Sequence, residues 1–202
     1  MFDFEFIRDN WFFIATGIGE ALGIAIFSFL LAPPIAMMVA RGCRSTLFPI
    51  KALSTFYVWL IDGIPLLLQI FFVFLALPQL GIFLPGFGAA VLVMALNYSS
   101  RMSKIFYERF AAAAGKSQNE TRLSLIAPLT SEFTSMIKDS TLISVTGFIH
   151  DVLWRATRVG RADFKNLEAF IIAAIIYLTL ITIVSLGAKI LKGIMSGTEG
   201  SK

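Results

Sequence analysis

Residues 63–100, GIPLLLQIFFVFLALPQLGIFLPGFGAAVLVMALNYSS, contain no charged side chain. About 20 apolar residues suffice to cross a bilayer as a helix, so this run is long enough for more than one crossing. It is interrupted at Pro78-Gln-Leu-Gly81 and at Pro85-Gly86, and proline and glycine are the residues that most strongly mark turns. The run therefore predicts two membrane-spanning helices joined by a short turn.

Two further charge-free runs, 21–40 and 169–188, lie on either side of this region. Hydrophobic residues make up 57% of the 202 residues and charged residues only 15%, and the mean hydropathy is +0.80. A water-soluble domain needs a more polar composition than this. We therefore expect an all-α membrane protein of about five transmembrane helices, forming a single domain over residues 1–202. The spans are expected at about 11–40, 52–77, 86–102, 123–149 and 167–191.

The distribution of lysine and arginine predicts the orientation of the chain, because short loops rich in these residues stay in the cytoplasm. With five spans, eleven of them fall on one side and five on the other, with Lys138 inside a span. The N-terminus is therefore expected outside and the C-terminus inside. The richer side carries Arg41, Arg44, Lys51, Arg101, Lys104, Arg109, Lys116, Arg122, Lys189, Lys192 and Lys202, and the other side Arg8, Arg155, Arg158, Arg161 and Lys165.

The remaining composition excludes several other classes of protein. Asp3 and Glu5 near the N-terminus are unlike the basic start of a signal peptide, so the first span is expected to be retained. Cys43 is the only cysteine, which excludes an internal disulfide and argues against a thiolate metal site. The net charge of +4 follows from the orientation bias, and no nucleic-acid partner is expected.

A polar, alanine-rich island, RFAAAAGKSQNETRLSLIAP at residues 109–128, separates two of the hydrophobic runs. Alanine loses no side-chain entropy in a helix, so Phe110 to Ala114 predict a short helix. Gly115 can end that helix with a left-handed residue. The orientation places the island in the cytoplasm, where its smooth surface suits the groove of another protein. The alternative is that the alanines only extend the third span.

Three blocks, standing in the right order, resemble those of polar amino acid ABC importer permeases of the histidine, glutamine and arginine type. Ala111, Gly115 and the Leu125-Ile126-Ala127-Pro128 block resemble the E-A-A, G and I-x-L-P of the family's cytoplasmic loop. Asp62-Gly-Ile-Pro-Leu-Leu67 resembles R-G-T-P-L-L, and Lys138-Asp-Ser-Thr-Leu-Ile-Ser144 resembles K-D-T-S-L-x-S. The resemblance extends from Gly17 to about Leu191.

The resemblance implies a type I ABC importer permease with a cytoplasmic coupling helix at about 110–115. It implies a dimer with an identical or paralogous permease, two ABC ATPase subunits, and a periplasmic or lipid-anchored solute-binding protein, in the lipid of a bacterial inner membrane. No cofactor is expected in this chain, because it has no phosphate-binding G-x-x-x-x-G-K-[ST] loop and ATP would bind the partner subunit. Catalysis is not expected either, since the lone His150 has no obvious nucleophile beside it.

The chain departs from the family at the island itself. Arg109 stands where the family has glutamate, and Phe110 where it has the first alanine of its motif. A glutamate at the start of a helix interacts favourably with the helix dipole, and Glu108 could supply that charge instead. The coupling surface is expected to comprise Glu108, Arg109, Phe110, Ala111, Ala112, Ala113, Ala114, Gly115 and Pro128.

Polar residues inside the spans are candidates for the solute path, because ionisable groups are costly in a membrane. Asp62 stands where the family carries arginine, and we hypothesise that it pairs with a basic residue across the dimer or favours a cationic solute. For Lys138 and Asp139 the alternative is a structural pairing, and for the uncharged groups it is the joining of helices. The candidates are Asp62, Asn97, Tyr98, Ser99, Lys138 and Asp139.

The outward loop carries Arg155, Arg158, Arg161 and Lys165 at spacings of three or four, which places them on one face of a helix. Such a stripe could dock an acidic face of a solute-binding protein. The alternative is contact with solvent or with lipid headgroups. In the first span, Pro33-Pro34 predicts a kink, because proline lacks a backbone N–H and clashes with the preceding turn.

Two other function classes share some of these features. A secondary transporter or channel would also have intramembrane charges and broken helices, although no convincing internal repeat supports it. A membrane scaffold that recruits a cytoplasmic protein would use the alanine-rich helix without a solute path.

Overall fold

The computed structural model describes residues 3–112 and 118–197, and these are α-helical with short connections. Helix α4 continues through a π-helical turn, Phe72–Ala76, and a 3-10 turn, Leu77–Leu80, which ends at the left-handed Gly81. The helices are α1 Phe4–Ala15, α2 Ile18–Cys43, α3 Phe48–Gly63, α4 Leu66–Phe71, α5 Gly86–Ala111, α6 Gln118–Asp139, α7 Thr141–Ser144, α8 Val152–Ala162 and α9 Asn166–Gly197.

Two segments of the described chain are long enough and apolar enough to span a membrane, Phe4–Cys43 and Asn166–Ile190. A third candidate span is the bent helix pair Phe48–Gly63 and Leu66–Leu80, if the two helices are taken together. Helices α5 and α6 are also long enough, but polar residues in each reduce the hydropathy. Polar residues in a long helix are tolerated in a membrane when they face protein or a cavity.

The sequence predicts one continuous span over 52–77, but this segment is bent by 99° between α3 and α4. Ile64 is extended, with φ −106° and ψ 124°, and Pro65 follows it. A residue before proline is pushed out of the helical region, so Ile64 ends α3. The sequence contains this proline, but the composition of the segment does not indicate the size of the bend.

Two other predicted boundaries differ from the structure. Helix α5 does not stop near residue 102 but continues to Ala111, so Phe110 lies in the same helix and does not begin a separate coupling helix. Helix α6 ends at Asp139, well before residue 149, and the chain then turns through α7 and the left-handed Gly147. Helix α2 extends through Pro33 and Pro34, and the kink expected there stays a prediction.

The main core forms where α2 packs against α5. The side chains of α2 at this contact are mostly alanines, including Ala25, Ala32 and Ala36, which are completely buried. Small residues allow two helix backbones to approach closely within a membrane. The Ser28 hydroxyl donates to the carbonyl oxygen of Val91 on α5 at 3.3 Å. This close packing fixes α5, which carries most of the candidate site.

A second apolar cluster joins α1, α8 and α9 at the other side of the bundle. Asp3 caps α1 by accepting from the Phe6 backbone N–H at 3.0 Å, and its own N–H donates to Glu168 of α9 at 3.1 Å. The Lys165 ammonium lies 3.4 Å from the Asp3 carboxylate. These contacts hold the start of α1 against the start of α9.

Candidate functional site

A row of polar residues on α5, from Asn97 to Arg101, forms the centre of the candidate site. Tyr98, Ser99 and Ser100 are completely buried, and Asn97 is 6% exposed. Buried polar groups require hydrogen-bond partners, and in this row the partners belong to α3, α4 and α6 as well as to α5 itself. The row therefore ties together the helices on either side of the bend and the helix that follows the polar island.

Gln69 of α4 satisfies the backbone at the bend. Its side-chain N–H group donates to the carbonyl oxygens of Ile61 and Ile64, both at 2.8 Å. Its amide oxygen accepts from Asn97 at 3.3 Å. The Asn97 side-chain oxygen is buried and has no hydrogen-bond partner among the residues described. Because both Gln69 donor bonds fix the orientation of that amide, the orientation of Asn97 is fixed in turn.

Asp62, at the end of α3, is bound within its own chain. Its carboxylate forms an ion pair with Lys104 and accepts a hydrogen bond from the Ser100 hydroxyl at 2.8 Å. Both partners belong to α5. The sequence hypotheses for Asp62, a basic partner across the dimer or a cationic solute, did not consider this intrachain partner. The pair leaves Asp62 neutralised beside the bend.

Tyr98 and Asp139 meet between α5 and α6. The Tyr98 hydroxyl donates to the Asp139 carboxylate at 2.7 Å, and the Arg101 guanidinium lies 4.9 Å from the centre of the Tyr98 ring. Glu132 is partly buried nearby, and one of its oxygens has no hydrogen-bond partner within the described residues. Two predicted candidates, Tyr98 and Asp139, are thus in direct contact, and Arg101 and Glu132 lie close to them.

Of the other two candidates, Ser99 is buried between helices and Lys138 is exposed. The Ser99 hydroxyl lies 2.7 Å from the Tyr57 hydroxyl of α3, which also donates to the Leu96 carbonyl at 2.9 Å. This contact joins helices, the alternative that the sequence left open for Ser99. Lys138 is exposed, one residue before Asp139, and does not point into the buried row. Gln69, Tyr57 and Lys104 have no pattern in the sequence that marks them as partners, because their contacts join residues of different helices.

The polar island begins at the C-terminal end of α5. Glu108 is exposed, Arg109 lies in the last helical turn, and the Phe110 ring stacks on Phe106 at 5.9 Å. Ala111 and Ala112 are exposed, whereas the predicted coupling residues Ala113, Ala114 and Gly115 lie outside the described residues. The chain resumes in α6, and Pro128 lies within that helix rather than at its start.

The expected role of Glu108 at a helix start is therefore wrong, because both charges belong to a helix end. The partial negative charge at the C-terminal end of a helix favours a cation. Arg109 has this position in α5, and the Ala112 backbone N–H donates to the Glu108 carbonyl at 2.9 Å. The departure from the family glutamate is thus compatible with a stable end of α5.

The arginines of the outward loop do not have equivalent surroundings. Arg155 donates to the His150 carbonyl at 2.9 Å, and its guanidinium lies 5.1 Å from the centre of the Phe13 ring. Arg158 and Arg161 are exposed and border a cleft of about 540 Å³, in which Arg158 covers the Trp154 ring at 5.1 Å. Arg155 therefore stabilises the fold, and the two others face the open cleft.

Asp151 begins α8 and is completely buried. Its carboxylate accepts from the Trp154 backbone N–H at 2.9 Å and from the Tyr177 hydroxyl at 3.1 Å. Burial disfavours the charged carboxylate and raises the pKa of Asp151 from 3.8 to about 6, although these hydrogen bonds oppose the shift.

This raised pKa predicts that Asp151 makes the protein less stable as the pH rises. The folded state binds more protons than the unfolded state between pH 3.8 and about 6, so the free energy of unfolding falls across that window, by an amount on the order of 2 kcal/mol. Asp151→Asn keeps the cap on Trp154 but cannot ionise. Melting temperatures measured at pH 5 and pH 7 should fall more in the unaltered protein than in the variant. Equal falls would contradict the prediction.

The relatives of this chain are named as permease proteins. The arginine transport system permease protein ArtQ of Bacillus subtilis is 28% identical over 197 residues, covering 88% of this chain and 90% of the relative. The L-cystine transport system permease protein TcyB of the same organism is 26% identical, with 87% and 83% covered. The probable glutamine ABC transporter permease protein GlnM, also from Bacillus subtilis, is 26% identical, with 82% and 83% covered.

A solved structure has the same fold. The crystal structure of an amino acid ABC transporter with histidines contains a chain that matches with a TM-score of 0.83 at 23% identity, covering 95% of this chain and 98% of that one. No protein-family model matches the sequence. The predicted resemblance and all-α membrane fold are thereby confirmed. The chain is a homologue of the permease proteins of amino-acid ABC transporters and has the fold of such a permease.

Proposed function

We propose that this chain is the membrane-spanning permease subunit of an ATP-driven importer of amino acids. The observation that carries the proposal is the similarity over most of the chain to permeases named for arginine, cystine and glutamine. The function predicted from the sequence agrees with these relatives, and they do not favour a secondary transporter, a channel or a scaffold. ATP hydrolysis is assigned to separate ATPase subunits.

The buried row on α5 supports a solute path for a zwitterion. The unpartnered Asn97 oxygen is a buried hydrogen-bond acceptor, which suits the ammonium group of an amino acid. The unpartnered Glu132 oxygen supplies a second acceptor on α6. Gln69 and Tyr57 position this row by bonding to it from α4 and α3, and Lys104 of α5 pairs with Asp62 at the end of α3.

The order of α5, the polar island and α6 along the chain supports a mechanical coupling between the solute path and the ATPase. Helix α5 carries both the polar row and, at its C-terminal end, the exposed Glu108 and Ala111, and α6 leads from the island to Glu132 and Asp139. A movement imposed on the island would therefore be transmitted to both sides of the Tyr98–Asp139 hydrogen bond. We assign the island to the cytoplasm and the N-terminus to the outside of a bacterial inner membrane, following the distribution of positive charge.

Uptake measurements test the proposed function. Cells that express this chain with its neighbouring ATPase and binding-protein genes should accumulate labelled arginine, cystine or glutamine above cells that lack the permease gene. Arsenate, which depletes ATP, should abolish the accumulation. A protonophore applied under conditions that maintain ATP should leave most of it. The opposite sensitivities would support a secondary transporter and overturn the proposal.

The two arginines at the open cleft predict a docking contact with an acidic face of the solute-binding protein. Arg158→Glu combined with Arg161→Glu should reduce binding-protein-stimulated ATPase activity about tenfold or more, because like charges at an interface cost several kcal/mol. Basal ATPase activity should be unchanged. Lys189→Glu, which also reverses an exposed positive charge but on α9, is the matched control. Unchanged stimulation in the double variant would exclude this docking surface.

A further inference from the structure

Helix α3 has an open face whose chemistry neither the solute path nor the coupling surface uses. None of its residues is buried, although α2 and α5 bury many. Its exposed face forms a groove of about 460 Å³. Spacings of three and four residues place the lining side chains on one side of the helix. The groove is lined by Phe48, Lys51, Ala52, Thr55, Phe56 and Trp59.

The groove has one charged end and one aromatic end. Lys51 is exposed near the start of α3, and Arg41 and Arg44 in the preceding segment are exposed as well. The Phe56 and Trp59 rings lie further along the helix, 5.7 Å apart and 67% exposed in the case of Trp59. A rise of 1.5 Å per residue separates Lys51 from Trp59 by about 12 Å. A phospholipid aligned with the helix would have its headgroup and its upper acyl chain separated by about this distance.

We propose that this groove binds an anionic phospholipid. The phosphate contacts the Lys51 ammonium, the Thr55 hydroxyl lies beside the ester region, and the acyl chain covers the Phe56 and Trp59 rings. The positive charge of the preceding segment favours a headgroup with a net negative charge over a zwitterionic one. This binding site is separate from the solute path and does not depend on which solute is transported.

The charge of Lys51 also argues against a second copy of this chain as the occupant. In a two-fold dimer centred on this groove, Lys51 would face the same patch of the other copy, and the residues that line the groove include no carboxylate to neutralise it. A buried cation without a partner is strongly destabilising. A phospholipid supplies the missing negative charge and an apolar surface in one molecule.

Fluorescence quenching by brominated lipids tests the proposal. The chain has three tryptophans, so Trp11→Phe with Trp154→Phe leaves Trp59 as the sole emitter. In liposomes with equal mole fractions, brominated phosphatidylglycerol should quench Trp59 with about a fivefold higher apparent affinity than brominated phosphatidylcholine, the factor expected for one lysine. Lys51→Gln should remove this preference. Lys189→Gln, which neutralises an exposed lysine on α9, should retain it.

Each other result overturns the proposal. Equal quenching by both lipids, with or without Lys51, would mean that the groove contacts only bulk lipid. Absence of quenching by either lipid would mean that protein covers Trp59, as a second permease subunit would.

Discussion

Replacing Gly17 with alanine is expected to destabilise the protein by about 3 kcal/mol, because a methyl group at this position has no space. A Cβ atom built on Gly17 would lie closer than 3.0 Å to the backbone nitrogen of Val152 and to the carbonyl carbon and oxygen of Asp151. Backbone atoms cannot rotate away as the end of a side chain can. The α1–α2 junction and the start of α8 would therefore have to separate.

The reason for glycine here is the close approach and not an unusual backbone angle. Gly17 has φ −67° and ψ −15°, which any residue adopts. The separation would also disturb the buried Asp151 and its hydrogen bond to Tyr177. The melting temperature in detergent and the yield of folded protein should both fall. The expected loss is larger than for any exposed substitution on α2.

Gly19→Ala is the matched control for this prediction. It lies two residues further along, inside α2, and a Cβ atom there meets nothing within 4 Å. Alanine is the better helix former by up to about 1 kcal/mol, so the control should be neutral or slightly stabilising. Equal melting temperatures for the two alanine variants would show that the contact between Gly17 and the start of α8 is absent in the folded protein.

The helices of this membrane fold could be predicted from the sequence because a bilayer imposes a simple rule on composition. A run of about 20 apolar residues is sufficient, and the runs at 21–40 and 169–188 lie within α2 and α9. The buried residues Asn97 to Ser100 could be singled out for the same reason, since polar residues in an apolar helix must be satisfied by protein. Confirmation of the fold comes from the relatives and from the solved structure.

The contacts of the site could not be predicted because they depend on a bend of unknown size. Pro65 indicates an interruption, but nothing in its neighbourhood predicts 99°. That angle places Gln69 of α4 beside both the end of α3 and Asn97 of α5, where Asp62 also meets Lys104, and these partners are far apart in the sequence. Hydropathy describes each helix by itself, whereas these hydrogen bonds depend on the relative placement of three helices.

The position at which α5 ends could not be predicted from the sequence, for a different reason. The alanines predict helix, and the structure continues the helix to Ala111, but helix propensity does not distinguish a new helix from an extension of the preceding one. The family has a glutamate at the start of its coupling helix, and Arg109 stands at the matching position of this chain. At a helix end the same charge is favourable. The roles of the coupling residues stay a prediction.

Gln69→Leu is expected to have a similarly large effect, because it leaves two partly buried carbonyls at the bend and one buried amide without these partners. The carbonyl oxygens of Ile61 and Ile64 would each lose a hydrogen bond of 2.8 Å, and the Asn97 side-chain N–H group would lose its acceptor. Each unsatisfied buried group costs about 1–3 kcal/mol, so the sum reaches about 3 kcal/mol or more. Leucine has a similar volume, so a packing defect contributes little.

The transport effect of this variant should exceed what its stability explains. The bend positions Asp62 and the row on α5, so substrate uptake should fall even at temperatures where the variant remains folded. Gln79→Leu is the matched control, because Gln79 also donates to a carbonyl, that of Leu75 at 3.1 Å, but is exposed. Melting temperature and uptake are measured for both variants. If Gln69→Leu behaves like Gln79→Leu in both measurements, the hydrogen bonds of Gln69 do not hold the bend.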